Sequence, residues 1–414
     1  MKITDIEIIP TYPRIARRNA AYTARFHDMN HLTVCKVHTD AGLVGYGEAI
    51  GKPPTRASVE PYLGRNPFDF INNTFNLALG GALYDVMGKY LDLPAYKLMG
   101  QKVRDAVPVA AWTRTASPEL FRDEVLRAVS EGYTIFKMHT CAYYDVLEQT
   151  RAVQEVAPAG FKIHYDFNAN RTLTAMLPIV RELERFPVVG YIEDPLESTD
   201  IDGWRRLREQ TRLPILMHKA PLGHSQELLQ GVADGYMIGS SIGETLARGF
   251  AYGQANAQTI VQLTGGTLTK ALALHLAAVL PTVGHSINLD DQYEDHIATE
   301  RIPVIEGFSP VPEGPGLGVE VDEEALARVA ANKPTVPPRH IGIIRLPNGR
   351  ELHTPSFSHW ISHPEAGRWV SQLTGQEEGT IRGISMELWE DDGSEQFARA
   401  HEHAARQLRS EETA

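Results

Sequence analysis

Cysteine is nearly absent from the 414 residues: Cys35 and Cys141 are the two that occur. Two thiols so far apart make neither a disulfide framework nor a zinc motif, so both read as ordinary reduced side chains. No apolar run reaches the length of a membrane span. No run of Lys and Arg would track a phosphate backbone, and the formal charge of -12 disfavours nucleic acid as a partner. The opening MKITDIEIIP breaks its apolar alternation with Asp5 and Glu7, unlike the apolar middle of a signal peptide. These absences lead to the expectation of a cytoplasmic protein that binds neither nucleic acid nor membrane. Low-complexity segments are missing too, and so is the Gly-rich first turn with which an open doubly wound sheet binds phosphate.

What is present is a large apolar fraction, 43%, in a chain long for one ordinary domain. Its centre alternates short apolar, β-branched runs with stretches of helical spacing. The strand candidates are VPVAAWT (107–113), YTIFKMHT (133–140), FKIHYDFN (161–168), VVGYIEDP (188–195), PILMHK (214–219), GYMIGS (235–240), TIVQLTG (259–265) and HSINL (285–289). In the segment after the first of them, Ser117 is placed to cap a helix on which Leu120, Val125 and Val129 recur. Eight such units predict parallel βαβ repeats closing into a modified (β/α)8 barrel of the TIM type over residues 106–310.

The flanks follow other rhythms. Residues 1–105 alternate with period two and then turn helical, as an α+β capping domain does. Between its first two strands runs a long connection, 11–31, that holds four Arg and two His. That length suits a lid, and its cations suit an anionic ligand, with Arg14, Arg17, Arg18, Arg25 and His27 as candidates. Residues 311–414 are expected to return to the cap and then add an α+β tail, with a hairpin at Asn348-Gly349 and a helix capped near Ser394. His353, His359 and His363 lie among aromatics in that tail, where packing is the expected role.

Reactive groups of a parallel barrel collect at the C-terminal ends of its strands. Strand two ends in Lys137, Met138 and His139, with the first and third on one face; strand three ends in Asp166 and Asn168; strand four ends in Glu193, Asp194 and Pro195. A cation and an imidazole thus face two carboxylates, either as chemistry or as an ion-pair network closing the barrel top.

Taken together, HTDAGLVGYGEA, ALYDVMGKYLDLPAYKLMG, KMH, DFNAN, YIEDP and PEGPGLGVEVD resemble the enolase superfamily, in its mandelate racemase and muconate lactonizing enzyme branch, over roughly residues 1 to 325. The resemblance implies a capping domain whose lid closes on the barrel. It also implies a shared first step: a base removes the proton α to a carboxylate, and a divalent metal, Mg2+ in the family, stabilises the enediolate. Such a proton is so weakly acidic that positive charge must be concentrated at the developing oxyanion. On this resemblance Asp166 and Glu193 match two of three metal carboxylates. His139 stands where the second Lys of Lys-x-Lys is commonly the base, and Lys137 would hold the substrate carboxylate and lower the pKa of His139. Asn168, Arg25 and His27 are further substrate-binding candidates.

The sequence also departs from the family pattern. The third carboxylate is replaced by His218-Lys219 in LPILMHKAPLG (213–223), and Ile238, Thr267 and Asn288 stand where strands six, seven and eight often carry functional groups. If His218 coordinates, preference moves toward Mn2+, Fe2+, Ni2+ or Zn2+; if Lys219 points inward, its ammonium replaces the metal and the site is metal-free. Without a second base, racemisation is disfavoured, whereas elimination needs one base that also serves as acid. The expected function is therefore a lyase that dehydrates a sugar acid or related hydroxy acid, a small-molecule carboxylate. Lactone cycloisomerisation, or a barrel that has lost the chemistry and serves binding or assembly, are the alternatives. The resemblance further implies a homo-oligomer.

Overall fold

A computed structural model describes residues 1–16, 29–141, 143–169, 171–333, 339–355 and 382–411. The chain opens with three antiparallel strands, β1 (Ile3–Thr11), β2 (Leu32–Thr39) and β3 (Val44–Ile50), which pair in that order. Helix α1 (Leu77–Leu91) lies on this sheet, started by Asn76, whose side chain accepts the Ala78 N–H at 2.9 Å. Gly45 and Gly47 make the close approach possible, because a Cβ on either would stand 2.1–2.2 Å from the carbonyl oxygens of Ala82 and Ala78. The sequence GLVGYGEA is thus read by a helix packed on its glycine face.

Eight parallel strands follow: β4 (Ala106–Thr113), β5 (Ile135–His139), β6 (Lys162–Asp166), β7 (Val189–Glu193), β8 (Ile215–Met217), β9 (Gly235–Ile238), β10 (Gln258–Gln262) and β11 (Val283–Ile287). Each pairs with the next, and the barrel closes where Ser286 and Ile287 of β11 pair with Val109 and Ala110 of β4. Seven helices cross between them: α2 (Pro118–Ser130), α3 (Val146–Gln154), α4 (Leu173–Leu183), α5 (Ile201–Gln210), α6 (Ser225–Leu229), α7 (Ile242–Gln254) and α8 (Thr267–Val279). Ser117 caps α2 as its position predicts, accepting the Leu120 N–H at 3.3 Å. The modification of the barrel is at its end, where a 3-10 turn, Asp290–Gln292, follows β11 in place of a helix. Strand β12 (Phe308–Pro310) then pairs antiparallel with β4, outside the ring.

Helix α9 (Glu323–Ala331) returns to the cap, where Val329 accepts the Tyr12 N–H at 3.1 Å and Glu323 meets Lys36 at 2.8 Å. The tail forms a second antiparallel sheet, β13 (His340–Arg345) between β14 (Glu351–Thr354) and β15 (Ser385–Glu390), followed by α10 (Glu395–Glu411). Its hairpin turns at Asn348 and Gly349 as expected, with φ of 80° at the glycine. Ser394 caps α10 by accepting the Phe397 N–H at 3.0 Å. None of the described helices is long and apolar enough to cross a membrane.

Candidate active site

Parallel register brings the strand ends together: Lys137 is level with His164, His139 with Asp166, and Asp166 with Glu193. Period-two alternation sends Met138 into the helix-facing core and turns Lys137 into the barrel. The Lys137 ammonium, 0% exposed, lies 2.6 Å from Glu193 Oε2 and 3.1 Å from Asp166 Oδ2, and donates to Gln262 Oε1 at 2.8 Å. An ammonium does stand between the two carboxylates, but it belongs to Lys137. Lys219 is exposed, because the turn after β8 points His218 toward the site and its neighbour outward. Fully buried in the structure, Lys137 directs its ammonium to the carboxylates of Glu193 and Asp166 and to Gln262.

Glu193 gathers His164 Nε2 at 2.6 Å and His218 Nδ1 at 3.2 Å besides Lys137. Burial would raise its carboxyl, but the Lys137 charge and the two imidazoles hold it well below the usual range. All three contacts come from side chains, one ammonium and two imidazoles, at 2.6 to 3.2 Å. An ionised, buried carboxylate with both oxygens so placed suits a cation. Asp194 follows with φ of 45°, an unusual value outside glycine that carries its side chain to the side of Glu193. Ligand atoms of Glu193, Asp194 and His218 then lie within 4.8 Å of one another. The sequence assigns Asp166 to this cluster; in the structure Asp166 turns to Lys137 and His139, and Asp194 comes in. Two carboxylates and an imidazole fit a divalent ion. Burial, with the charges of Glu193 and Asp166, raises Asp194 to about 7, so it is the carboxyl of the cluster that most readily takes up a proton. Partial burial pulls His218 down, but its contact with Glu193 outweighs this and raises the imidazole, so a cation bound there would displace a proton.

His139 completes the mouth. Its Nδ1 lies 2.9 Å from Asn168 Oδ1 and 3.2 Å from Asp166 Oδ2. Both partners are acceptors, so Nδ1 carries the proton and Nε2 keeps the lone pair. Burial pushes His139 down to about 3, against Asp166 and with help from Arg114 and Lys137, so the ring is neutral. Asn168, expected to bind substrate, is occupied in orienting His139; its Nδ2 donates to the Thr140 carbonyl at 3.2 Å.

Ile238 is buried in β9 and Thr267 donates to Asp290 at 2.7 Å, so neither offers a second base. Asn288, beyond the end of β11, is buried with an unpartnered Nδ2 that can donate to a ligand. Arg14 of the expected lid is paired with Asp295 at 2.7 Å, while Arg17, Arg18, Arg25 and His27 lie outside the described residues, as do His359 and His363.

Sequence reasoning missed three groups. Trp112 at the end of β4 meets His139 edge-on at 5.5 Å, and Arg114 stacks over Trp112 at 5.4 Å. Below the carboxylates, His164 and His285 form a buried pair with ring nitrogens 3.0 Å apart. The signal for Arg114 was its place just past a strand end; the histidines are interior positions that only closure of the ring makes neighbours.

The family described as "Enolase C-terminal domain-like" matches residues 120–236 and 245–325. N-succinyl-L-Arg/Lys racemase of Bacillus cereus is 30% identical over 264 residues, 56% of this chain and 69% of the relative. The chain belongs to the enolase superfamily, in its mandelate racemase and muconate lactonizing enzyme branch. D-gluconate dehydratase of Thermoproteus tenax is 26% identical over 362 residues, 73% of this chain and 70% of that one. D-galactonate dehydratase of Verminephrobacter eiseniae is 27% identical over 215 residues, 44% and 56% of the two chains. The crystal structure of the Bacillus cereus racemase superposes with a TM-score of 0.68 at 21% identity, covering 80% of this chain and 99% of its own. Enolase-superfamily members bind a divalent metal, and this chain offers a possible ligand triad for one.

Proposed function

We propose that this enolase-superfamily enzyme dehydrates a sugar acid. The observation that carries the reading is His139: an imidazole fixed through Nδ1 by Asp166 and Asn168, with Nε2 left as base on one side of the mouth. Abstraction of the α proton by Nε2 and departure of the β hydroxyl, protonated by the same imidazole, gives an enol that becomes a 2-oxo-3-deoxy acid. One base suffices for this, whereas Ile238 and Thr267 supply none for a racemase's opposite face. Two relatives that are sugar-acid dehydratases support the same chemistry.

Glu193 and His218, with Asp194 or Asp166, would hold the divalent ion. When bound, that ion supplies the positive charge that the developing oxyanion needs. Mg2+ is the family's ion, and the His218 nitrogen moves preference toward Mn2+, Fe2+, Ni2+ or Zn2+. Asn288 Nδ2 donates to the substrate, Lys137 keeps Glu193 and Asp166 ionised, and Trp112 excludes water from one side of His139.

The test is a panel of aldonic acids, D-gluconate and D-galactonate among them, incubated in D2O with each divalent ion. Formation of the 2-oxo-3-deoxy acid is expected, with a 100- to 10,000-fold loss of rate in His139→Asn. Deuterium exchange without oxo acid would replace the dehydratase by an isomerase, and neither product nor exchange would remove the reading.

A further inference from the structure

The family match stops at residue 325, and the solved racemase leaves a fifth of this chain uncovered while matching 99% of its own. The tail sheet therefore lies beyond the shared fold. It nevertheless packs at the catalytic end. Ile344 and Leu346 of the β13 hairpin, with Ile384 and Met386 at β15, join one buried cluster with Trp112, Cys141, Tyr143 and Tyr144. The last three, with Thr140 and Asp145, are the described residues of the connection that leaves β5 directly after Lys137 and His139.

Polar contacts fasten the same loop. Asp145, buried at its end, accepts Arg382 Nε at 2.7 Å and the Gly383 N–H at 2.9 Å on Oδ2. Its Oδ1 caps α3 through the Leu147 N–H at 2.9 Å. One carboxylate thus joins the tail to the first turn of the helix that follows the catalytic strand. Tyr144 adds a hydrogen bond from its hydroxyl to the Met386 carbonyl at 3.3 Å. In a parallel barrel the loops after the strands build the pocket and select what it holds.

We infer that the C-terminal sheet is a fixed wall of the catalytic mouth, and that Arg382, through Asp145, positions Cys141, Tyr143 and Tyr144 after β5 to select the sugar acid. Lys137 and His139 are held by the barrel itself, so loosening the clamp weakens substrate binding and leaves the chemical step intact. The choice of substrate rests on the dehydratase reading; the clamp does not.

Arg382→Ala in the full chain tests both, with Arg382→Lys as the rescuing variant, since a lysine keeps a cation for Asp145. Kinetics on the aldonic acids and amide hydrogen exchange over 140–147 are measured together. The expected result for Arg382→Ala is KM raised about tenfold, kcat within threefold of wild type, and exchange at least tenfold faster in this segment, with Arg382→Lys largely restored. Unchanged exchange overturns the clamp. Faster exchange with KM unchanged, or with kcat falling instead, overturns substrate selection by the loop. If the wild type turns over no acid, the dehydratase reading fails, and exchange alone then upholds or overturns the clamp.

Discussion

Two buried carboxylates, one at the junction of cap and barrel and one in the barrel mouth, have opposite surroundings. Asp85 of α1 accepts the Tyr46 N–H at 2.8 Å, the Leu317 N–H at 2.8 Å and Lys89 Nζ at 2.6 Å. Its donors come from the cap sheet, its own helix and the segment returning from the barrel, so every oxygen is satisfied by structure. Glu193 is as deeply buried, but what surrounds it is side chains alone, the Lys137 ammonium and the imidazoles of His164 and His218. A carboxylate pinned by backbone N–H groups holds a fold together; one surrounded by titratable side chains at a barrel mouth is a candidate for chemistry.

Glu193→Gln should cut kcat/KM at least 1,000-fold, about 4 kcal/mol of barrier, and abolish divalent-ion binding by calorimetry. Its melting midpoint should change less than that of Asp85→Ala. Asp85→Ala strands two N–H groups and leaves the Lys89 ammonium with the Val44 carbonyl alone as acceptor, and should cost roughly 3 kcal/mol in urea unfolding while kcat of the folded fraction stays near wild type. The reverse pattern, with Glu193→Gln the less stable and Asp85→Ala the less active, would break the comparison.

A third carboxylate sharpens it. Glu48 of β3 lies against the first turn of α8, where burial, followed by the charge of Asp290, raises it to about 7, and its Oε2 has no partner. A free glutamate titrates near 4.5. The folded state therefore keeps a proton that the unfolded chain has released. The resulting stabilisation is fully present below pH 4.5 and is lost as pH rises through about 7. The change is of the order of 3 kcal/mol. Glu48→Gln should flatten this slope; equal slopes for wild type and variant in urea unfolding from pH 4.5 to 8 would show that Glu48 is not the group responsible.

The barrel was legible because each strand candidate is an apolar run of the right length between helical stretches, and strand burial on both faces writes itself into composition. Lys137, His139, Asp166 and Glu193 were legible for the same reason: once a strand is placed, its end is placed. Asp194 was not, because alternation assigns it to the face opposite Glu193, and a positive φ overrides alternation. Arg114 and the His164–His285 pair required the ring to close, and the role of the tail required knowing which loop it covers.

By itself, then, the sequence determined that Lys137, His139, Asp166 and Glu193 stand at the ends of three neighbouring strands and that a His-Lys pair, His218-Lys219, ends the fifth. Tertiary structure decided which cation stands between the carboxylates, because Lys137 and Lys219 are equivalent by type and differ in which side of a strand they leave. It also decided that the C-terminal sheet packs on the connection after β5, a contact between segments more than 200 residues apart in the chain that no local pattern encodes.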